Sequence, residues 1–115
     1  MSSITFLVSS CKIDKSNREV FWEGRRIQTR GHLICSGEDH RFIVYFVEPG
    51  NELPNPTYLK SYKLGAIFVP VNEMDAYLGL ANEEEPVYAY LNAARPELNS
   101  ITVNEPLREE IYQGY

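Results

Sequence analysis

Little in this chain suggests a membrane, a staple or a known catalytic signature. No apolar run approaches the roughly 20 residues needed to cross a bilayer, and the longest, FIVYFV, is of strand length. The N-terminal MSSITFLVSSCK lacks a positive n-region and a cleavage-type ending, so it reads as a first strand and not as an export signal. A cytoplasmic location is therefore expected. The two cysteines, Cys11 and Cys35, allow one disulfide at most. A domain of this length buries about two-thirds of its unfolded surface and needs no such staple, so both thiols are expected reduced and buried. No G-x-S-x-G, P-loop, G-x-G-x-x-G or H-E-x-x-H is present, and no cofactor is implied.

Basic excess is missing too. The net charge is −5, and it is unevenly spread. Residues 1–47 carry seven Lys/Arg against five Asp/Glu, whereas residues 48–115 carry four against eleven. Such a split bears on partners and solubility and not on fold.

Short strands separated by turn residues are what the sequence does contain. Ile4 to Ser10 and Arg18 to Trp22 read as strands. Glu23-Gly24 supplies a tight turn, which pairs Trp22 with Arg25, Phe21 with Arg26, Val20 with Ile27 and Glu19 with Gln28. A second hairpin with Ser36-Gly37-Glu38-Asp39 as its loop pairs Cys35 with His40, Leu33 with Phe42, Gly31 with Val44 and Thr29 with Phe46. By the alternation of side chains along a strand, Ile27, Thr29, Gly31 and Leu33 then share one apolar face with Phe42, Val44 and Phe46.

The proline-rich EPGNELPNP, Glu48 to Pro56, must be a loop. Tyr62 to Val69, Val87 to Leu91 and Ile101 to Val103 read as further strands. Asn72 is placed to cap a short helix over residues 72–80 with Met74, Tyr77 and Leu78 on one side. Glu83 to Glu85 reads as a solvated acidic loop. The expected architecture is mainly β: a small antiparallel barrel or strongly curved sheet of about six to seven strands with that one helix. It forms a single domain over residues 1–103, and residues 104–115 are a tail or a short docked helix.

Four groups of residues are candidates for chemistry. The first is the run FWEGRRIQTRGHLIC, in which Arg26, Gln28, Arg30 and His32 project from one face about 6.5 to 7 Å apart, with Trp22 and Tyr45 as aromatic neighbours. That spacing suits a polyanion or nucleic acid. A solvated outer face explains it better, because polar outer faces are ordinary for antiparallel sheets, Glu19 is placed to pair with an arginine across the strand and the chain as a whole is acidic.

The second is His32, Cys35, His40 and Cys11. The spacing H-x2-C-x4-H fits no common zinc site, and His32 and Cys35 point to opposite faces, so no metal is expected. A Cys35–His40 nucleophile pair would also need a lowered thiol pKa and an oxyanion site. A packed core thiol is the simpler reading.

The third group, the plain carboxylates, has no recognisable partner at fixed spacing, which argues against an enzyme.

The fourth is tyrosine. Seven of the eight tyrosines fall in the acidic second half. Tyr88 and Tyr90 lie opposite Val87, Ala89 and Leu91, and Tyr62 and Tyr77 are further members. Tyrosine brings large contact area and a polar tip to interfaces, although strands also favour aromatics. The sequence thus points to a non-catalytic binding or adaptor module whose partner is a protein or a second copy of the chain, contacted through Tyr88, Tyr90, Tyr62 and Tyr77. Anion or nucleic-acid binding through the arginine stripe is the alternative, and a small enzyme or ligand-binding barrel is a third.

Overall fold

The computed structural model describes residues 3–81 and 86–103. The acidic loop at Glu83 to Glu85 and the tail or docked helix over 104–115 lie outside the described residues. Nine strands are described: β1 (Ser3–Leu7), β2 (Ser10–Asp14), β3 (Arg18–Trp22), β4 (Arg25–Gly37), β5 (His40–Val47), β6 (Thr57–Leu59), β7 (Leu64–Pro70), β8 (Val87–Asn92) and β9 (Ser100–Val103). The helix α1 (Met74–Ala81) follows a 3-10 turn over Val71–Glu73. Asn72 lies inside that turn and is not a cap. Met74 and Tyr77 pack on the core as the spacing predicts, joined by Leu80.

The β3–β4 hairpin has the register read from the sequence, with Trp22 opposite Arg25 and Glu19 opposite Gln28. Its turn residues Glu23 and Gly24 both have positive φ, which matches the twist of the flanking strands. The second hairpin differs from expectation. Only Glu38 and Asp39 form the turn, at φ of 49° and 62°, while Ser36 and Gly37 stay in the ladder. Gly37 is needed there for close approach, because a Cβ would sit 2.0 Å from the Leu7 carbonyl oxygen. The true pairs are therefore Cys35 with Phe42, Leu33 with Val44 and Gly31 with Phe46. A slip of two residues leaves every side chain on its expected face.

A β-bulge does not. Thr29 pairs with Val47 but Gly31 pairs with Phe46, so Arg30 is an extra residue and the faces exchange across it. Gly31 has φ of 153°, in a region side chains avoid, and a Cβ there would lie 2.7 Å from the Asp14 carbonyl oxygen. Ile27 and Leu33 thus do not share a face. Leu33 joins Phe6, Cys35, Phe42, Val44, Phe46, Ala89 and Leu91 in the main core. Ile27 joins Val47, Ala66 and Phe68 on the other side, packed with Trp22 and Tyr45.

Two sheets result. One has the order β1-β8-β9. The other runs β2-β4-β5-β7-β6, with β3 also pairing β4. The main core lies between them. The fold is mainly β, as expected, but among the described residues neither sheet closes into a barrel. The larger one is curled enough for β3 and β6 to border a common cleft through Phe21, Trp22, Thr57 and Leu59. Pairing is also not wholly antiparallel, because β5 and β7 run parallel. Their segments FIVYFV and AIFV are apolar on both faces, which is the pattern of a strand covered on both sides.

Candidate interaction surface

In the three-stranded sheet, Phe6, Val87, Ala89, Leu91 and Ile101 turn inward to the core. Alternation then sends their neighbours outward. Tyr88 sits between Leu7 and Thr102, and Tyr90 between Thr5 and Ser100. Not one of these six side chains is charged, although 23% of the chain's residues are. Leu7 is 44% exposed, Thr5 is exposed, and both tyrosines are half-buried.

Tyr90 is held in place by its hydroxyl, which accepts a 3.0 Å hydrogen bond from Asn92 Nδ2. Asn92 is itself buried, and its Oδ1 accepts from the backbone N–H groups of Ala94 and Arg95 at 3.0 and 2.9 Å. Asn99 completes the arrangement: its Oδ1 accepts from Asn92 N at 2.8 Å, and its Nδ2 donates to the Thr57 carbonyl at 3.1 Å. A ring fixed in this way loses less freedom when a partner lands on it.

The other two tyrosines do not join this surface. Tyr62 is 72% exposed, on the 3-10 turn after β6 of the larger sheet. Tyr77 belongs to the core edge, its ring 5.9 Å from that of Phe46. Burial, and then the Glu73 carboxylate, push its phenol pKa up.

The arginine stripe is divided by the bulge. Arg26 and Gln28 share a face with Glu19, whose carboxylate lies 3.8 Å from Arg26 Nε and accepts from Gln28 Nε2 at 2.8 Å. Arg30, the bulged residue, donates to Glu48 at 2.7 Å. His32 lies beyond the bulge on the opposite face, its ring 5.9 Å from Tyr45. Trp22 packs on that same side, 5.1 Å from Phe68 and 6.4 Å from Tyr45. The single polar face expected for Arg26, Gln28, Arg30 and His32 is therefore corrected. Arg25 and Arg18 also meet carboxylates, Glu52 at 3.3 Å and Asp14 at 2.9 Å.

The second hairpin's true register separates Cys35 from His40. His40 places Nδ1 3.1 Å from the Glu38 carbonyl and Nε2 3.5 Å from the Tyr58 hydroxyl. Cys35 instead faces Cys11, the two Sγ atoms 3.8 Å apart. That opposition is visible only once β2 is placed beside β4, a long-range pairing with no local sign. Among the described residues no three His, Cys, Asp or Glu side chains converge as metal ligands.

Clefts lined by described residues include two. One of about 430 Å³ is bordered by Phe21, Trp22, Glu23, Thr57 and Leu59. The other, of about 310 Å³, lies between Glu48, Leu53 and the Pro70–Asn72 turn. Each has one carboxylate in its wall and neither has a nucleophile beside a base. No family model, curated protein or solved structure matches the chain.

Proposed function

We propose that the protein is a non-catalytic binding module that engages a protein partner through the outer face of its three-stranded sheet, with Tyr88 and Tyr90 as the contact residues and Leu7 beside them. One observation carries the reading: an uncharged strip of tyrosine, leucine and hydroxyl side chains on the face of the sheet opposite the core, in a chain of which 23% of residues are charged. Depletion of charge together with enrichment of tyrosine distinguishes interface centres from ordinary surface.

The size of the strip favours a transient contact. Three strands at ~4.8 Å spacing and a few residues of length give on the order of 200 Å², against about 800 Å² per side for a stable complex. A short segment of another protein fits that area better than a symmetric dimer of this chain. A cytoplasmic setting is part of the proposal and is supported by the sequence, whose two cysteines are too few for a disulfide framework. Among the described residues no helix is long and apolar enough to cross a membrane.

The test is affinity purification from the native host with wild-type protein and with the double variant Tyr88→Ala/Tyr90→Ala, the fold of each checked by circular dichroism. The proposal predicts a specific protein retained by the wild type and lost with the folded variant. Equal retention by both would refute it.

A further inference from the structure

We infer that Cys11 and Cys35 form a thiol pair that a hydroperoxide converts to an intramolecular disulfide, making the junction of β2 and β4 a redox modification site. The two residues are direct partners across an antiparallel ladder. Directly opposed residues have Cα atoms about 4.5 to 5.5 Å apart, inside the 4.4 to 6.8 Å range that disulfides occupy. The sulfurs are 3.8 Å apart and share a hydrogen bond, so closing to bonding distance takes a side-chain rotation and a small strand movement. β2 can supply that movement, because it is the outermost strand of its sheet.

The pair is asymmetric in a way that assigns roles. Cys11 is partly exposed, whereas Cys35 is fully buried in the core. A hydroperoxide in solvent therefore meets Cys11 first. The Cys11 thiolate attacks one peroxide oxygen; the S–O bond forms, the O–O bond breaks, and the departing oxygen takes a proton to leave as water or an alcohol. Cys35 then gives up its proton and attacks the Cys11 sulfur; the S–S bond forms, the S–O bond breaks, and a second water leaves. The two thiols lose two electrons and two protons, and the peroxide gains them. Burial, reinforced by the neighbouring Cys11, raises the Cys35 thiol pKa, which suits Cys35 to the resolving role and not to the first attack.

The product would be readily reversed. Cβ atoms of directly opposed residues stand about 4.5 to 5.5 Å apart against a preferred ~3.8 Å in disulfides, and strained disulfides are the easily reduced ones. Oxidation would tie an edge strand to the longest strand of the fold.

Reduced wild-type protein is treated with hydrogen peroxide under native conditions and followed by intact mass and thermal melting. The expected result is a monomer lighter by two hydrogens, with Cys11 linked to Cys35 in the peptide map. Its Tm should rise by no more than a few degrees, because strain offsets the gain from loop closure, and dithiothreitol should restore the starting mass and Tm. Cys35→Ala, which leaves the partly exposed Cys11 thiol, should instead gain one oxygen and stay unlinked. Two outcomes would overturn the inference: oxygen addition at Cys11 without a link in the wild type, or a linking rate that rises with low urea in step with the unfolded population, which would place the reaction in the unfolded chain.

Discussion

Ile27 and Leu33 lie on one strand at an even separation, yet they face opposite sides of the sheet. The extra residue at Arg30 exchanges the faces between them. This exchange places Leu33 in the core between the sheets and Ile27 in the second cluster with Val47 and Phe68. It also breaks the row of cationic side chains.

The bulge depends on Gly31. With φ of 153° and the Asp14 carbonyl only 2.7 Å from where a Cβ would stand, Gly31→Ala should cost about 2 kcal/mol or more. A loss under about 0.5 kcal/mol in urea unfolding would mean that the bulge tolerates a side chain.

Asn92 is the anchor of Tyr90. It is 3% exposed and serves two backbone donors, so Asn92→Ala leaves two N–H groups without their acceptor. The expected cost is roughly 2 to 3 kcal/mol. Tyr90→Phe removes only the hydroxyl and should cost about 1 kcal/mol. Denaturant midpoints for the two variants should fall in that order.

Exposure separates the tyrosine strip from core aromatics. Tyr88→Ala and Leu7→Ala should each cost about 1 kcal/mol or less, whereas Phe46→Ala, fully buried, should cost about 3 to 5. Similar losses at Tyr88 and Phe46 would place Tyr88 in the core.

Acid sensitivity should involve Asp14. Hydrogen bonds from the Ser16 hydroxyl and backbone N–H, with Arg18 adding its charge, lower its carboxyl pKa to about 2 from 3.8. A depressed folded-state pKa means that the stabilisation is present above about pH 4 and is lost as pH falls toward 2. Asp14→Asn should flatten the decline in stability across that window while changing little of its shape above pH 5. An unchanged acid limb would mean that Asp14 titrates normally.

Ion pairing makes a further prediction for the arginines. Arg26 and Arg30 already lie against Glu19 and Glu48. Wild-type protein should show no binding to mixed-sequence RNA or DNA at low salt, and Arg26→Ala/Arg30→Ala should not alter that. Salt-dependent binding that the double variant abolishes would restore the polyanion reading.

What was legible in the sequence was local. Glu23-Gly24 fixed a hairpin to the residue, and alternation over Val87 to Leu91 put Tyr88 and Tyr90 on the face opposite Val87, Ala89 and Leu91. The second hairpin's register differs by two from the local reading because Gly37 looks like a turn residue, while its real constraint is the Leu7 backbone from a distant strand. A glycine inside a strand pattern signals a bulge, and Gly31 carried that signal. The unbroken apolar run FIVYFV likewise signals two covered faces. No local pattern announces that β5 and β7 are parallel, or that Cys11 meets Cys35, since both depend on strands far apart in the chain.

If a partner lands on the uncharged outer face, site-specific photocrosslinking in the native host will capture it there. A photoreactive phenylalanine analogue at position 88 should yield a discrete protein adduct that the same analogue at Tyr62, more exposed but elsewhere, does not. Adducts at 62 and none at 88, with both proteins folded, would contradict the account.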